Sequence, residues 1–353
     1  MNRRIASAAR RRSGISLIEV LMSIFILAVG LLGIASLLPL GQRQIEEAEQ
    51  HDRAAIIGQN AFRTFRTRGY SNYQWWCSPS GTSVAQNTSP FAQPVLTTPI
   101  IIDPLLASNT ALTATANVPH SGTLLKRFTV KQTPGNSGGA AINAAAAEAV
   151  FVARDDLILT QGNTPEDSSS LKLDNNARRD FEGRYSWMAM ISPANPGTTT
   201  PGLPVGTPHY EMPCELSIIV FNRRPYLGNG TNVLNDEETI GGMSIPRERV
   251  VDADLSAGGG IGGGDAVLSG GTNAYHLMVR PGEYLLLVST NGRNARWYKI
   301  LSAEDYNPAS DTQRTITLAG PDWTYGAAKA IIFDGATAVY TKSIKLEGPS
   351  RMN

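Results

Sequence analysis

The run "ISLIEVLMSIFILAVGLLGIASLL", Ile15 to Leu38, places one charged residue, Glu19, among 24 positions. As a helix it is apolar on every face and extends roughly 36 Å at about 1.5 Å per residue, long enough for a bilayer's hydrocarbon core. Pro39-Leu40-Gly41 marks a kink or loosening at its end. The pattern then turns amphipathic. Ile45, Ala48, Ala55, Ile56 and Phe62 fall on one face roughly 120° wide, with Glu46, Glu47, Glu49, Asp52 and Arg53 mostly elsewhere. Arg63, Arg66 and Arg68 suit the negative end of a helix dipole, and Gly69 is a stop signal.

After Tyr70 the period shortens. Leu124–Lys131, Arg184–Ile191 and Glu215–Asn222 read as strands, and "GGAAINAAAAEAVF" as a short helix. Ser192 to Pro208 has five prolines in 17 residues and no charge, which predicts a loop. Ala257 to Asn273 has eight glycines in 17 and predicts a flexible linker. "GEYLLLVSTNGRNARWYKIL" predicts a hairpin around Asn291-Gly292, "RTITLAG" a further strand, and "AIIFDGATAVYTKSI" a second hairpin around Asp334-Gly335. The expected class is α+β: a long N-terminal membrane-spanning helix on an antiparallel β-rich head, with an additional C-terminal small β-sheet or barrel. The expected divisions are a leader at 1–14, transmembrane and stalk helix at 15–69, head at 70–256, linker at 257–273 and β subdomain at 274–349.

Charge changes this picture at one end. Arg3, Arg4, Arg10, Arg11 and Arg12 precede the apolar run, with no acid before Glu19. Setting those five aside leaves 26 Lys and Arg against 30 Asp and Glu, a mildly acidic remainder of −4. Broad electrostatic capture of nucleic acid is not expected of such a chain. The arginines read instead as the cytoplasmic flank of a membrane segment, with everything after Leu38 outside. A secretory signal peptide has a shorter apolar core and a small-residue cleavage site. A plain single-pass anchor accounts for the length but treats Glu19 as a side chain reaching back to the headgroups.

A leader that ends in Gly14, an apolar Ile15 after it, and "SLIEVL", which puts Glu19 fifth after that glycine, resemble the prepilin leader and N-terminal helix of type IV pilins and type II secretion pseudopilins. "LAVGLLGIASL" is most similar to PilV-type minor pilins. The resemblance covers about 40 residues. It implies a prepilin peptidase that cuts between Gly14 and Ile15 and methylates the new amine. It also implies a Glu19 that neutralises the terminal amine of a neighbouring subunit during assembly, into a pilus or a pseudopilus. A buried charge is tolerated when paired, so such a contact also sets register. The head, from Tyr70 onward, is large for the family.

Catalytic signals are weak beside this. "GNSGG", Gly135 to Gly139, matches G-x-S-x-G after a strand, yet His51, His120, His209 and His276 have no companion motif. "GGGIGG", Gly258 to Gly263, fits a nucleotide-loop pattern that a glycine-rich tract matches unavoidably. Asp252, Asp254 and Asp265 are the candidates for calcium, though "GGIGGGD" is a single, shifted copy of a calcium repeat. The expectation is a non-enzymatic chain without cofactor or metal; the competing reading is a membrane-anchored extracytoplasmic protein that binds a ligand or hydrolyses one. Two cysteines outside the cytoplasm, Cys77 and Cys214, predict one disulfide closing 138 residues. Two buried thiols are the alternative.

Overall fold

Helix α1 runs from Leu17 to Thr67. It belongs to a computed structural model that describes residues 16–77, 98–107, 125–132, 140–154, 159–160, 170–171, 183–193, 213–224, 238–240, 243–245, 248–255, 262–270, 274–308 and 310–347. The chain divides into two units, 1–52 and 53–353, so α1 contributes to both. In the second unit Ala54, Ile57, Ala61, Phe62 and Phe65 of α1 are buried, a spacing of three and four that makes one helical face. This corrects the face expected from sequence, of which Phe62 alone is buried; Ile45 and Ile56 are exposed. The helix seats on that face because Gly58 leaves room for an aromatic ring. A Cβ at Gly58 would lie 2.4 Å from Tyr340 Cδ2. The stop at Gly69 is as expected: with φ +71°, its N–H donates to Arg66 O at 2.9 Å and the Tyr70 N–H to Phe65 O at 2.9 Å, the Schellman pattern.

In chain order there follow β1 (Trp76–Cys77), β2 (Ile100–Ile102), α2 (Pro104–Ala107), β3 (Lys126–Val130), α3 (Ala144–Phe151), β4 (Leu159–Thr160), β5 (Ser170–Leu171), β6 (Tyr185–Pro193) and β7 (Pro213–Asn222). After them come β8 (Glu238–Ile240), β9 (Met243–Ile245), β10 (Glu248–Asp254), β11 (Gly263–Ser269), β12 (Tyr284–Ser289), β13 (Ala295–Ala303), β14 (Gln313–Ala319), β15 (Ala328–Phe333) and β16 (Ala336–Lys345). Among the described residues the head sheet has the order β1-β3-β2-β6-β7-β16. Its pairs are antiparallel except β2 with β3.

Alternation along β6 and β7 sends side chains into two cores. Trp187, Ala189, Ile191, Leu216, Ile218 and Val220 face the end of α1 and α3. There Phe151 stacks 5.9 Å from Tyr70 and lies 4.3 Å from Trp187. Met188, Met190, Ile219 and Phe221 face the other way, onto Leu286, Val288, Ile331 and Phe333. Those four come from the outside of a closed antiparallel barrel, β10-β11-β14-β13-β12-β15. Inside it pack Leu285, Leu287, Ile300, Ile316, Leu318 and Ile332. The "LLLV" run of β12 is therefore buried on both faces.

The extra β subdomain is thus a barrel, and its limits differ from those expected. Strand β10 belongs to it, and so does β11, which occupies Gly263–Ser269 of the expected flexible linker. Ala266 and Leu268 alternate into the barrel core, which overrides the glycine content. The hairpin around Asn291-Gly292 is present, as β12 with β13. The hairpin around Asp334-Gly335 is not: β15 pairs with β10 and β12, whereas β16 pairs with β7. Both edges of β15 are needed to close the barrel, so the turn carries the chain across to the head sheet.

Four charged side chains lie between sheet and barrel, all at most 7% exposed: Asp103 after β2, Arg127 on β3, Arg224 after β7 and Glu248 at the start of β10. Arg224 donates to Asp103 at 3.1 and 2.6 Å and to Glu248 at 3.0 Å. Arg127 donates to both Glu248 oxygens at 3.1 and 2.9 Å. The guanidinium of Arg224 also covers the Phe221 ring at 4.3 Å. Opening a buried ion pair from one side leaves uncompensated charge, at a cost of about 3–5 kcal/mol. Arg224→Met is expected to destabilise the protein by about that amount, read as a lower denaturant midpoint; a midpoint within error of the parent would remove the network from the list of stabilising contacts.

Candidate assembly site

Glu19 occupies the first turn of α1. The Ser16 carbonyl accepts from the Glu19 N–H at 3.0 Å and the Val20 N–H at 3.3 Å, and Ser23 Oγ donates to the Glu19 carbonyl at 2.8 Å. A carboxylate here is favoured by the exposed N–H groups of the helix start. Its neighbours are apolar and exposed: Leu17 at 80%, Ile18 at 68%, Leu21 at 58% and Met22 at 58%. The same holds through Leu32, on every face. A helix of this composition needs a surrounding other than water. Among the described residues no helix is long and apolar enough to cross a membrane. Gly14 and Ile15 lie outside the described residues.

Cys77 and Cys214 are two buried thiols, not a disulfide. They sit on β1 and β7, with β3, β2 and β6 between those strands. Four strand steps of about 4.8 Å separate them by roughly 19 Å, whereas a bridge needs Cα atoms within about 7 Å. The even count was misleading because each thiol packs as a small apolar side chain. Burial pushes each thiol pKa up to about 11, with Lys131 drawing Cys77 slightly back.

Among the described residues the other sequence candidates do not come together. The glycine-rich residues 135–139 and 258–261, His120 and His209 lie outside the described residues. His51 is exposed on α1. His276 is buried, its carbonyl accepts from Arg249 Nε at 3.1 Å, and its pKa is lowered by burial and then by Arg249. Asp252 and Asp265 are engaged separately, with Lys329 at 2.7 Å and Thr317 at 2.8 Å. Among the described residues no three His, Cys, Asp or Glu side chains cluster as metal ligands.

Comparison with known proteins bears on the N-terminal segment. Residues 9–35 match the prokaryotic N-terminal methylation motif. That match supports a type IV pilin-like prepilin. It spans Gly14, Ile15 and Glu19 and ends within the exposed apolar turns. No curated protein and no solved structure matches the chain at a significant level. Sequence reasoning missed the network of Asp103, Arg127, Arg224 and Glu248. No local motif joins these residues, which come from four segments far apart in the sequence.

Two thiols are expected to titrate in the denatured, unreduced protein, and to react far more slowly in the native state. A folded-state pKa raised from about 9 to about 11 contributes stability that is complete below the unfolded value and is lost as pH rises through the folded one. The melting temperature should therefore fall between about pH 9 and 11, and Cys77→Ala and Cys214→Ala should each flatten that fall; one that stays as steep in both variants would exclude the thiols as its cause.

Proposed function

We propose that the chain is a prepilin, cut between Gly14 and Ile15 by a prepilin peptidase and methylated on the new Ile15 amine. Its helix anchors it in the inner membrane with the head outside the cytoplasm. It then joins other pilin or pseudopilin subunits as a minor, PilV-type component of a type IV pilus or a type II secretion pseudopilus. The protein acts by assembly, without catalysis, cofactor or bound nucleic acid. The observation that carries this reading is the position of Glu19, fifth after Gly14 within the matched motif, on a helix whose apolar side chains are exposed on every face. A minor role is supported by the head itself, since the closed barrel adds a second core beside the head sheet, a bulk easier to accommodate at low copy number.

Two measurements test it. Mass spectrometry of the native protein should find an N-terminus at Ile15 carrying one methyl group, and a chain beginning at Met1 or Asn2 in cells with an active prepilin peptidase would end the proposal. Glu19→Val should insert into membranes at least as well as the parent, because an intramembrane charge is removed. Its incorporation into filaments should drop on the order of tenfold or more, because the neighbour's amine loses its counter-charge. Equal incorporation would return Glu19 to the role of an interfacial side chain.

A further inference from the structure

Where the end of α1 turns into the head, a cleft of about 640 Å³ lies between the 68–75 turn and α3. Its size is within the usual range for small-molecule sites, about 300–1,000 Å³. Among the described residues that line it none is acidic. Lys131 borders it, but Val130 faces the core under α1 and α3, so strand alternation turns the Lys131 side chain to the other face of the sheet. Arg68 is already bonded to Tyr70, whose pKa is raised by burial and drawn back by the charge and hydrogen bond of that guanidinium. What remains is the half-buried indole of Trp75, an apolar wall of Ile142, Ala146 and Val150, and two exposed carboxamides, Gln132 and Asn143. We propose that this cleft binds a neutral saccharide, one pyranose ring laid flat against Trp75 and its hydroxyls met at the rim by Gln132 and Asn143.

A pyranose with equatorial hydroxyls carries C–H groups on its faces and donors and acceptors around its edge. An aromatic floor with amides at the rim matches that division. An anion finds one guanidinium already bonded to a phenol, and a wholly apolar body would leave the two amides without partners. The floor is set before any ligand arrives. A Cβ at Gly69 would lie 3.0 Å from Trp75 Nε1, so the bare glycine seats the indole. Tyr70 stands edge-on to Trp75 at 6.0 Å, and the Lys131 N–H donates to Trp75 O at 2.8 Å. The Ile142 N–H donates to Val130 O at 2.8 Å and the Gln132 N–H to Ala140 O at 3.0 Å. Asn143 Oδ1 accepts from the Ala146 N–H at 2.8 Å, which fixes the amide and leaves its Nδ2 hydrogens to offer. A preformed site spends little of its binding energy on ordering.

Such a ligand has two sources, a short free oligosaccharide or a stretch of a polysaccharide chain. The test uses the mature full chain in nanodiscs of neutral phosphatidylcholine, with empty nanodiscs to subtract partitioning. Calorimetric titration with cellotriose should show saturable binding with a Kd of about 1 mM or below. Sorbitol, which has the hydroxyls but no ring face, should not bind at the same concentrations. Trp75→Ala should weaken cellotriose about tenfold. Gln132→Ala, at an exposed position, should cost about fivefold with the melting temperature unchanged. Should Trp75→Ala fail to fold, Ala149→Trp, also exposed, carries the test: it should fill the cleft and abolish binding without changing the melting temperature. Retardation in native gels containing neutral mixed-linkage β-glucan assigns the site to polymer chains; cellotriose binding without retardation assigns it to free oligomers. No saturable binding of cellotriose, equal binding of sorbitol, or an affinity unchanged by Ala149→Trp overturns the proposal. None of these readouts depends on N-terminal processing or filament assembly.

Discussion

The head depends on two neighbouring strands, β6 and β7, that are apolar on both faces. Nearly every residue from Tyr185 to Ser192 and from Leu216 to Phe221 is buried, so the sheet has no face to give to water. A sheet of this kind is stable only when covered twice. One cover is the last turns of α1 with α3; the other is the outside of the barrel. The second requirement explains why the barrel strands carry apolar residues outward as well as inward, as Leu286 and Ile331 do beside Leu285 and Ile332. Without the sheet, that outer patch would lie in water. Without the barrel, Met188, Met190, Ile219 and Phe221 would.

Apolar packing alone leaves the barrel free to slide or turn on the sheet, because burial is nearly indifferent to direction. The charged network removes that freedom. Its members come from four separate segments, three in or beside the head sheet and one at the start of β10. Any rotation that parts Glu248 from Arg127 and Arg224 strands a buried carboxylate. Arg249, the next residue, works in the opposite direction along the chain. It binds Asp334 at 2.9 Å and the carbonyls of His276 and Met278, and so ties β10 to the turn through which the chain leaves the barrel for β16. Two adjacent residues thus secure both passages between barrel and head.

What was legible in the sequence was whatever a short window contains. The apolar run from Ile15, the stop at Gly69, the strands that became β3, β6 and β7, and the Asn291-Gly292 hairpin each announce themselves within about 20 residues. What failed was decided by partners far along the chain. Asp334-Gly335 has the composition of a tight hairpin, but the burial of β15 on both faces commits it to the barrel. Eight glycines around Gly263 resemble a linker, but the alternation of Ala266, Val267 and Leu268 was enough to make a strand once β10 and β14 stood on either side. The cysteine count was read as a bridge because spacing along the chain says nothing of separation across a sheet. The helical face was misplaced by one residue in places, Ile56 for Ile57, because a small glycine opposite Tyr340 outranked the larger side chain beside it.

The two units meet opposite physical demands within one chain. Beyond Arg53 nearly every large apolar side chain among the described residues is covered, Ile56 and Leu301 being exposed exceptions. Before Asp52 the apolar side chains from Leu17 to Leu32 are exposed without a cover from their own chain. A sequence that can bury its core so thoroughly in one unit does not leave the other bare for want of apolar material to put over it. Among the described residues nothing covers Leu17 to Leu32, and on the proposed reading their cover comes from outside the chain. On the proposed reading it comes twice, first as lipid and then as the helices of neighbouring subunits, and Glu19 is the residue that tells these surroundings apart. In lipid its charge is a cost. On that reading it becomes a pair against a neighbour's terminal amine, and the difference between the two states would favour leaving the bilayer for the filament. A wholly apolar helix would be held as well by either surrounding; under the proposal, the single carboxylate in its first turn is what would give the transfer a direction.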